Sequence, residues 1–269
     1  MKSGFTLIEL AIVLVIVGLL SGGILTAQTL IRASEMRAVQ SEFQRYTTAV
    51  NAFRERYFGL PGDLPNATRF WKRQYNSTAC PSPSGAVLDD NGTCDGNGDG
   101  NILAASAAGE SGEFAQFWRQ LALAGLVEGM YTGRAGPGGI WHGVREVNIP
   151  ASKLGNAAWS EVFWATQDGN ASLFNGAYGN TLLLGGQDVA IEPIQRVLRP
   201  EEAWNLDAKI DDGMPAVGKV VVRNRIACAI APDGGSMTFD PLMAGRMDAV
   251  YNVQYDDGYG CALIFRGNF

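Results

Sequence analysis

The sequence predicts an α+β fold, in which one long N-terminal α-helix packs on a head built from an antiparallel β-sheet with long loops. Three observations support this prediction: an uncharged apolar run near the N-terminus, an amphipathic helical pattern directly after it, and short β-branched segments in the last third of the chain. The 34 glycines and 11 prolines among 269 residues indicate many turns, which a helical bundle does not need.

The first element is an apolar helix long enough to cross a membrane. From Leu10 to Ile31 the sequence contains no charged residue, and apolar side chains occupy every face of the helix. A secretory signal peptide would end in a small-residue cleavage site after such a run, and no convincing site of that kind follows it. We therefore expect the run to stay attached to the chain as a membrane anchor.

Gly4 and Glu9 interrupt the apolar pattern at its N-terminal end. A carboxylate such as Glu9 is costly in lipid unless it has a partner. The segment KSGFTLIELAIVLVIVGLL, which contains both residues, resembles the prepilin signature of type IV pilins and type II secretion pseudopilins. The resemblance implies that a prepilin peptidase cuts between Gly4 and Phe5 and methylates the new amino group of Phe5.

Cleavage at this point would also explain Glu9. The ammonium group of Phe5 lies one helical turn from Glu9, and in a filament Glu9 can instead pair with the Phe5 ammonium of a neighbouring subunit. An ordinary membrane anchor with an incidental glutamate is the alternative. The resemblance divides the chain into a leader peptide (1–4), a transmembrane and polymerisation segment (5–31), the amphipathic half of the helix (32–58) and a globular pilin-like head (59–269).

The amphipathic half of the helix has apolar residues at alternating spacings of three and four, which places them on one face. We call these positions the seam, and we expect it to press on the sheet. A two-stranded coiled coil has the same spacing and is the alternative. The helix is expected to end near Gly59 and Pro61. The seam comprises Met36, Val39, Phe43, Tyr46, Val50, Phe53 and Tyr57, and the charged residues assigned to the polar positions between them are Arg37, Glu42, Arg45, Arg54, Glu55 and Arg56.

The membrane half departs from the family in one respect. Many pilins carry a helix-kinking proline there, whereas this chain has Gly18, Gly22 and Gly23 and no proline. We therefore expect any bend in an assembled filament to centre on the Gly22–Gly23 pair.

Four cysteines are expected to form two disulfides. They show no C-x-x-C spacing, which makes a structural zinc site improbable. An even number of cysteines in loop-rich sequence after an export-type N-terminus favours oxidation outside the cytoplasm. Pairing Cys80 with Cys94 and Cys228 with Cys261 keeps each bond within one region, and four buried free thiols are the alternative.

A glycine-rich stretch, DGNGDGNI, resembles the start of an EF-hand calcium loop. Its candidate ligands are Asp95, Asn97, Asp99 and Asn101, with Gly100 at the turn position. The match fails at the twelfth position, which is Ser106 rather than glutamate. Glu110 or Glu113 is expected to complete the site if the chain folds back, which would make Ca²⁺ the one candidate cofactor. Tight Asp-Gly and Asn-Gly turns without any metal are the alternative.

Other elements of the head follow from local patterns. Residues 113–128 predict a second helix, and Pro200 with two acidic residues after it predicts the start of another. Asp211, Asp212 and Gly213 are expected to form a solvated turn that closes this helix. Strands are predicted at 181–184, 217–230, 249–255 and 260–265.

Several function classes are disfavoured by the sequence. A net charge of −6 provides no positive field for a phosphate backbone, so no nucleic acid is expected as a partner. No enzyme is expected either, because there is no nucleophile elbow or phosphate-binding loop, and the only histidine, His142, lies in a glycine-rich segment expected to be exposed.

The resemblance implies a structural subunit, and the size of the head favours a minor one, of a type IV pilus or a type II secretion pseudopilus. Its expected partners are the prepilin peptidase, other pilin or pseudopilin subunits and the inner-membrane assembly platform. It would be held in a bacterial inner membrane with its head in the periplasm, and later in a periplasmic or extracellular filament. A filament-tip adhesin or receptor-binding pilin is the alternative.

Overall fold

A computed structural model describes residues 7–74, 80, 88–89, 92–105, 107–170, 172–223, 225–237, 241–254, 258–267 and 269. Within these residues the helices are α1 (Leu7–Tyr57), α2 (Thr68–Trp71), α3 (Glu113–Leu123), α4 (Pro200–Ile210), α5 (Arg225–Cys228) and α6 (Pro241–Ala244). The strands are β1 (Arg73–Gln74), β2 (Leu88–Asp89), β3 (Ala157–Trp164), β4 (Gly179–Gly186), β5 (Val220–Val222), β6 (Ala229–Ile230), β7 (Val250–Tyr251) and β8 (Leu263–Arg266).

Helix α1 is continuous over 51 residues, about 77 Å at 1.5 Å per residue. Its second half lies on the head, which confirms the predicted helix and its seam. Phe43 packs on Phe265 of the sheet, and Tyr46 contacts the rings of Trp118 and Trp159. Along the seam, Val39, Tyr46, Val50 and Phe53 are buried, and Met36, Phe43 and Tyr57 are partly buried against the same core.

The main sheet has four antiparallel strands in the order β3-β4-β8-β5. One face packs against α1 and α3, through side chains such as Trp159 and Phe265. The other face carries a second apolar cluster, in which Leu183, Ile264 and Val221 lie side by side across three strands. Because both faces are buried, β4 and β5 contain the unbroken apolar runs LLL and VVV rather than an alternating pattern.

The second predicted helix is shorter than expected. It ends at Leu123 rather than near residue 128, because Gly125 adopts a left-handed conformation with φ +72°. The amide of Gly125 donates to the carbonyl of Ala122, and that of Leu126 donates to the carbonyl of Leu121. This pair of hydrogen bonds is the Schellman arrangement that closes a helix.

The strand predictions need three corrections. One of the two longest strands, β3, was not predicted, because Ser160 and Glu161 interrupt its apolar pattern. The run predicted over 217–230 divides into β5, the short helix α5 and β6. The run predicted over 249–255 contains only the two residues of β7 as strand, and its last residue lies outside the described part of the chain.

Both predicted disulfides are confirmed, and they account for all four cysteines. The Cα atoms of each pair, Cys80 with Cys94 and Cys228 with Cys261, are 5.0 Å apart. Cys228 lies in α5 rather than in a strand. The second disulfide therefore joins this short helix to the chain just before β8.

Candidate functional site: the exposed half of the N-terminal helix and the acidic sites of the head

The apolar window in the first half of α1 contains no buried residue, and the helix is long and apolar enough to cross a membrane. The large apolar side chains of this half are all more than half exposed, from Leu7 at 88% to Ile16 at 51%. A surface of this kind needs lipid or other apolar helices to cover it. Glu9 lies in its first turn. Gly4 and Phe5, the predicted cleavage and methylation residues, lie outside the described residues.

Hydroxyl groups within the apolar half satisfy their hydrogen bonds on the same helix. Ser21 Oγ donates to the carbonyl of Val17 at 2.7 Å, and Thr26 Oγ1 donates to that of Gly22 at 3.1 Å. These groups therefore need no water, which suits an apolar environment. The helix runs without interruption through Gly22 and Gly23, so the bend expected there in a filament stays a prediction.

Arg32 marks the point where α1 leaves the apolar half and reaches the head. Its guanidinium forms two hydrogen bonds with the carboxylate of Glu202 in α4, of 2.6 and 2.7 Å, and a third with Glu35 at 3.0 Å. It also donates to the carbonyl of Val197 at 2.9 Å and lies over the ring of Tyr259. Burial of Glu202 opposes ionisation, but the hydrogen bonds from Arg32 hold its pKa below the usual value.

Glu42 attaches α1 to the head at a second point. The assignment of this residue to the polar positions of the helix, made from the sequence, is wrong. The side chain is buried, only 5% exposed, and accepts three hydrogen bonds from the head. Oε2 accepts from Ser152 Oγ at 2.6 Å and from Trp159 Nε1 at 2.8 Å, and Oε1 accepts from the amide of Lys153 at 2.9 Å. A buried carboxylate with three donors is stabilising because its loss would leave all three unpaired.

The four predicted calcium ligands do not all face one point. Both carboxylate oxygens of Asp95 bind Thr68 at the start of α2, one through the amide at 2.7 Å and one through the hydroxyl at 3.0 Å. Asn97, Asp99 and Asn101 instead bond to one another in successive turns: Asn97 accepts from the amide of Asp99, and Asp99 from that of Asn101, both at 2.8 Å.

Two acidic residues outside the predicted set hold this loop in place. Asp63 was not predicted, and Glu113 was expected only as a further ligand. Each of their four oxygens accepts a backbone amide of the loop, so the amides rather than a cation surround these carboxylates. Burial raises the pKa of both groups, with a smaller contribution from the charge of Asp99. The donors are Gly98 (2.6 Å) and Gly100 (2.8 Å) to Asp63, and Asn97 (3.0 Å) and Leu103 (2.9 Å) to Glu113.

A cluster of three carboxylates lies at the C-terminal end of α4. Asp207, Asp211 and Asp212 each contribute an oxygen atom, and these atoms are all within 4.8 Å of one another. Asp207 is fully buried, whereas Asp211 is partly exposed and Asp212 is exposed. Burial raises the pKa of Asp207 to about 7, and the charges of Asp212 and Asp211 add to this effect. Asp211 and Asp212, which were predicted to form a solvated turn, thus form a cluster with the buried Asp207.

His142 lies in a glycine-rich segment, as expected, but it is buried rather than exposed. Its Nδ1 accepts the amide of Gly138 at 2.9 Å, and its Nε2 faces the carbonyl of Asp188 at 3.2 Å. Both ring nitrogens therefore bind backbone, and the side chain is not available as the base of a nucleophile relay.

Comparison with known proteins gives one match. Residues 1–25 match the family model described as the prokaryotic N-terminal methylation motif. No curated protein and no solved structure is significantly similar to the chain. The match covers the apolar start of α1 and Glu9, and it does not extend to the head.

Proposed function

We propose that this chain, whose first 25 residues carry the type IV pilin and pseudopilin signature, is a minor structural subunit of a type IV pilus or type II secretion pseudopilus. The observation that supports the proposal most is the division of α1. One half is exposed and apolar, and the other is fixed to the head by the seam, Arg32 and Glu42. Lipid covers the exposed half before assembly, and neighbouring α1 helices cover it afterwards.

The same proposal identifies the partners and the location. The motif implies processing by a prepilin peptidase and assembly with other pilin subunits. The inner-membrane assembly platform is the third partner. The head lies in the periplasm before assembly and on the surface of the filament after it. Proteins with this signature are structural rather than enzymatic, which agrees with the backbone-bound state of His142.

Mass spectrometry of the mature chain tests the processing step. In cells with an active prepilin peptidase, the N-terminal residue should be Phe5 with a methyl group on its nitrogen. In a strain without that peptidase, the chain should keep Met1 and remain in the membrane. An intact Met1 terminus in the presence of the active peptidase would contradict the proposal.

The substitution Glu9→Ala tests the assembly step. It removes the partner of the Phe5 ammonium, and breaking a buried ion pair costs about 3–5 kcal/mol. We expect normal membrane insertion and a decrease of at least about tenfold in the subunit recovered from sheared filaments, since each 1.4 kcal/mol corresponds to a factor of ten.

A matched control for this experiment is Glu128→Ala, which removes an exposed carboxylate of the head. It should leave incorporation unchanged. If Glu9→Ala is incorporated as well as the unchanged chain, the carboxylate has no role in assembly, and the proposed pairing is wrong.

A filament-tip adhesin is the second candidate, and one feature favours it. An open groove of about 820 Å³ lies where α1 ends, with Arg54, Leu60 and Asp63 in its lining. Phe58 on the same groove is 93% exposed. A strain that lacks this chain would separate the candidates. If the chain is an adhesin, its deletion should leave the number of filaments unchanged. If it is a structural subunit, its deletion should reduce the number or the length of the filaments.

Calcium binding by Asp95, Asn97, Asp99 and Asn101 stays a proposal. Asn97, Asp99 and Asn101 lie together in the loop, whereas both carboxylate oxygens of Asp95 accept hydrogen bonds from Thr68, which leaves each oxygen one further lone pair for an ion.

A further inference from the structure

The acidic cluster at the end of α4 has a geometry that suits a cation. Two oxygens bound to one Ca²⁺ at about 2.3–2.6 Å are at most about 5 Å apart. The oxygens of Asp207, Asp211 and Asp212 lie within 4.8 Å of one another and meet this requirement. The backbone also approaches closely, since a Cβ atom at Gly218 would overlap Asp211 Oδ2 and lie 2.7 Å from Asp212 Oδ2.

One oxygen of the cluster is buried without a hydrogen-bond partner. Tyr251 Oη donates to Asp207 Oδ2 at 2.8 Å, whereas Asp207 Oδ1 has no partner among the described residues and no contact with solvent. The backbone amide of Gly213, in the turn that carries Asp212, points towards this carboxylate. A buried carboxylate oxygen without a partner is unusual because its desolvation is not compensated. Oδ1 is therefore placed to bind a ligand.

The charges are also at the unfavourable end of the helix. The C-terminus of a helix carries the negative end of the macrodipole, so three carboxylates there repel it as well as one another. Two of the other oxygens accept backbone amides: the amide of Met214 donates to Asp212 Oδ1 at 2.8 Å, and the amide of Lys219 donates to Asp211 Oδ2. These amides orient the carboxylates but carry no net positive charge.

We propose that Asp207, Asp211 and Asp212 form a binding site for a divalent cation, with Ca²⁺ as the preferred ion. All three side-chain ligands are hard oxygens, which favour a hard cation such as Ca²⁺ over the softer transition metals. The remaining coordination positions are open to water, because Asp212 is exposed. Ca²⁺ accepts this irregular, partly hydrated arrangement more readily than Mg²⁺, which requires near-octahedral geometry.

Bound Ca²⁺ would fix the C-terminal end of α4 to the turn before β5. Tyr251 of β7 is linked to the same group through Asp207. The N-terminal end of α4 carries Glu202, which holds Arg32 of α1. The ion would therefore stabilise the helix to which α1 is attached, and this inference does not depend on the proposed filament.

The test uses the full chain in detergent micelles, stripped with a chelator and titrated with CaCl₂ by calorimetry. We expect the unchanged chain to bind Ca²⁺, and Asp207→Asn to lose one equivalent while keeping the Tyr251 contact. With free Ca²⁺ about 100-fold above the Kd, the Tm should rise by about 5–10 °C in the unchanged chain and by much less in the variant. Asp212→Asn, at an exposed position, gives a second variant with little risk of misfolding.

Asp99→Asn is the matched control, because it removes an exposed carboxylate from the loop that resembles an EF-hand. It should not reduce binding at the α4 cluster. Terbium luminescence gives the location, because Trp204 of α4 lies beside Gly213 and can sensitise the bound ion. Trp204→Phe should reduce the emission. Absence of Ca²⁺ binding, or binding that Asp207→Asn and Asp212→Asn leave intact, would overturn the proposal.

Discussion

Glu161 lies in the middle of β3, opposite Leu182 of β4, and is fully buried. Neither of its carboxyl oxygens has a hydrogen-bond partner among the described residues. Burial raises the pKa of Glu161 well above the usual value, and the charge of Glu113 acts in the same direction. The carboxyl group is therefore neutral in the folded protein, since an isolated buried charge would cost far more than protonation.

This protonation predicts a pH-dependent stability. The folded-state pKa is raised, so the stabilisation is fully present below the ordinary glutamate pKa and is lost as the pH rises towards the folded-state value. In that window the unfolded chain releases a proton that the folded chain retains, and the loss is about 1.4 kcal/mol for each pH unit. Glu161→Gln should remove this slope, so its stability relative to the unchanged chain should increase as the pH rises above the ordinary glutamate pKa.

Chemical denaturation of both chains in detergent at several pH values measures this difference. Asp207, whose pKa is raised to about 7, also titrates in this range, but it is present in both chains and cancels in the difference. A difference between the chains that does not change with pH would contradict the prediction. The sequence gives no signal for Glu161, because its burial is produced by α3 and the sheet, which are distant in the chain.

At the scale of elements, Glu42 shows how far a helical pattern can be trusted. The spacing places it on the seam, three residues after Val39 and four before Tyr46. Its charge argued for the polar face, and only its partners at 152–159, more than 100 residues away, explain why it is buried. The seam and the C-terminal end of α1 were therefore predictable from local sequence, whereas the hydrogen bonds of Glu42 were not.

Glu42→Ala should strongly destabilise the attachment of α1. Three donors would be left without an acceptor, and each unsatisfied buried group costs about 1–3 kcal/mol. Because the costs are not additive, we expect a total on the order of 3–5 kcal/mol, similar to the loss of a partner from a buried pair. Denaturant unfolding of the full chain in detergent measures this change.

Glu42→Gln is the matched variant because its side chain has nearly the same shape. It keeps one acceptor oxygen and places an amide NH₂ group against donors, so an intermediate loss is expected. If Glu42→Ala and Glu42→Gln are both as stable as the unchanged chain, the buried carboxylate does not hold α1 to the head.

The other elements show the same limit. The end of α3 depends on Gly125, whose left-handed conformation is favoured by glycine but is not required by the sequence. The strand β3 was missed because two polar residues, Ser160 and Glu161, interrupt its apolar pattern although both are buried. The turns at 95–101 were predicted from their Asp, Asn and Gly residues, but the carboxylates that accept the amides of this loop, Asp63 and Glu113, lie outside the motif.

At the scale of the whole molecule, the division into an apolar anchor and a head follows from the sequence, but the connection between them does not. Arg32 is the first charged residue after the apolar run, and its main partner Glu202 lies 170 residues further along the chain. Glu202 also accepts the amide of Arg199 at the start of α4. The carboxylate of Glu202 therefore caps the start of α4 and also binds Arg32 of α1.

Arg32→Lys should loosen the start of α4. Lysine keeps the charge but cannot form the two parallel bonds to Glu202 together with the bond to Val197. Because the pair is partly exposed, we expect a loss on the order of 1 kcal/mol rather than that of a fully buried pair. Hydrogen exchange of the amides at 197–206 should become faster, while that of β4 should not change. Equal exchange in both chains would show that the arginine geometry is not needed.

The two attachments of α1 also have a mechanical consequence. Arg32 and Glu42 contact the head at points about 15 Å apart along the helix axis. A pull along that axis strains both contacts at the same time, in shear, whereas a sideways pull would strain Arg32 first and could then peel the helix away. In the filament proposed above, the attachment of α1 would therefore resist force best in the direction in which the filament is stretched.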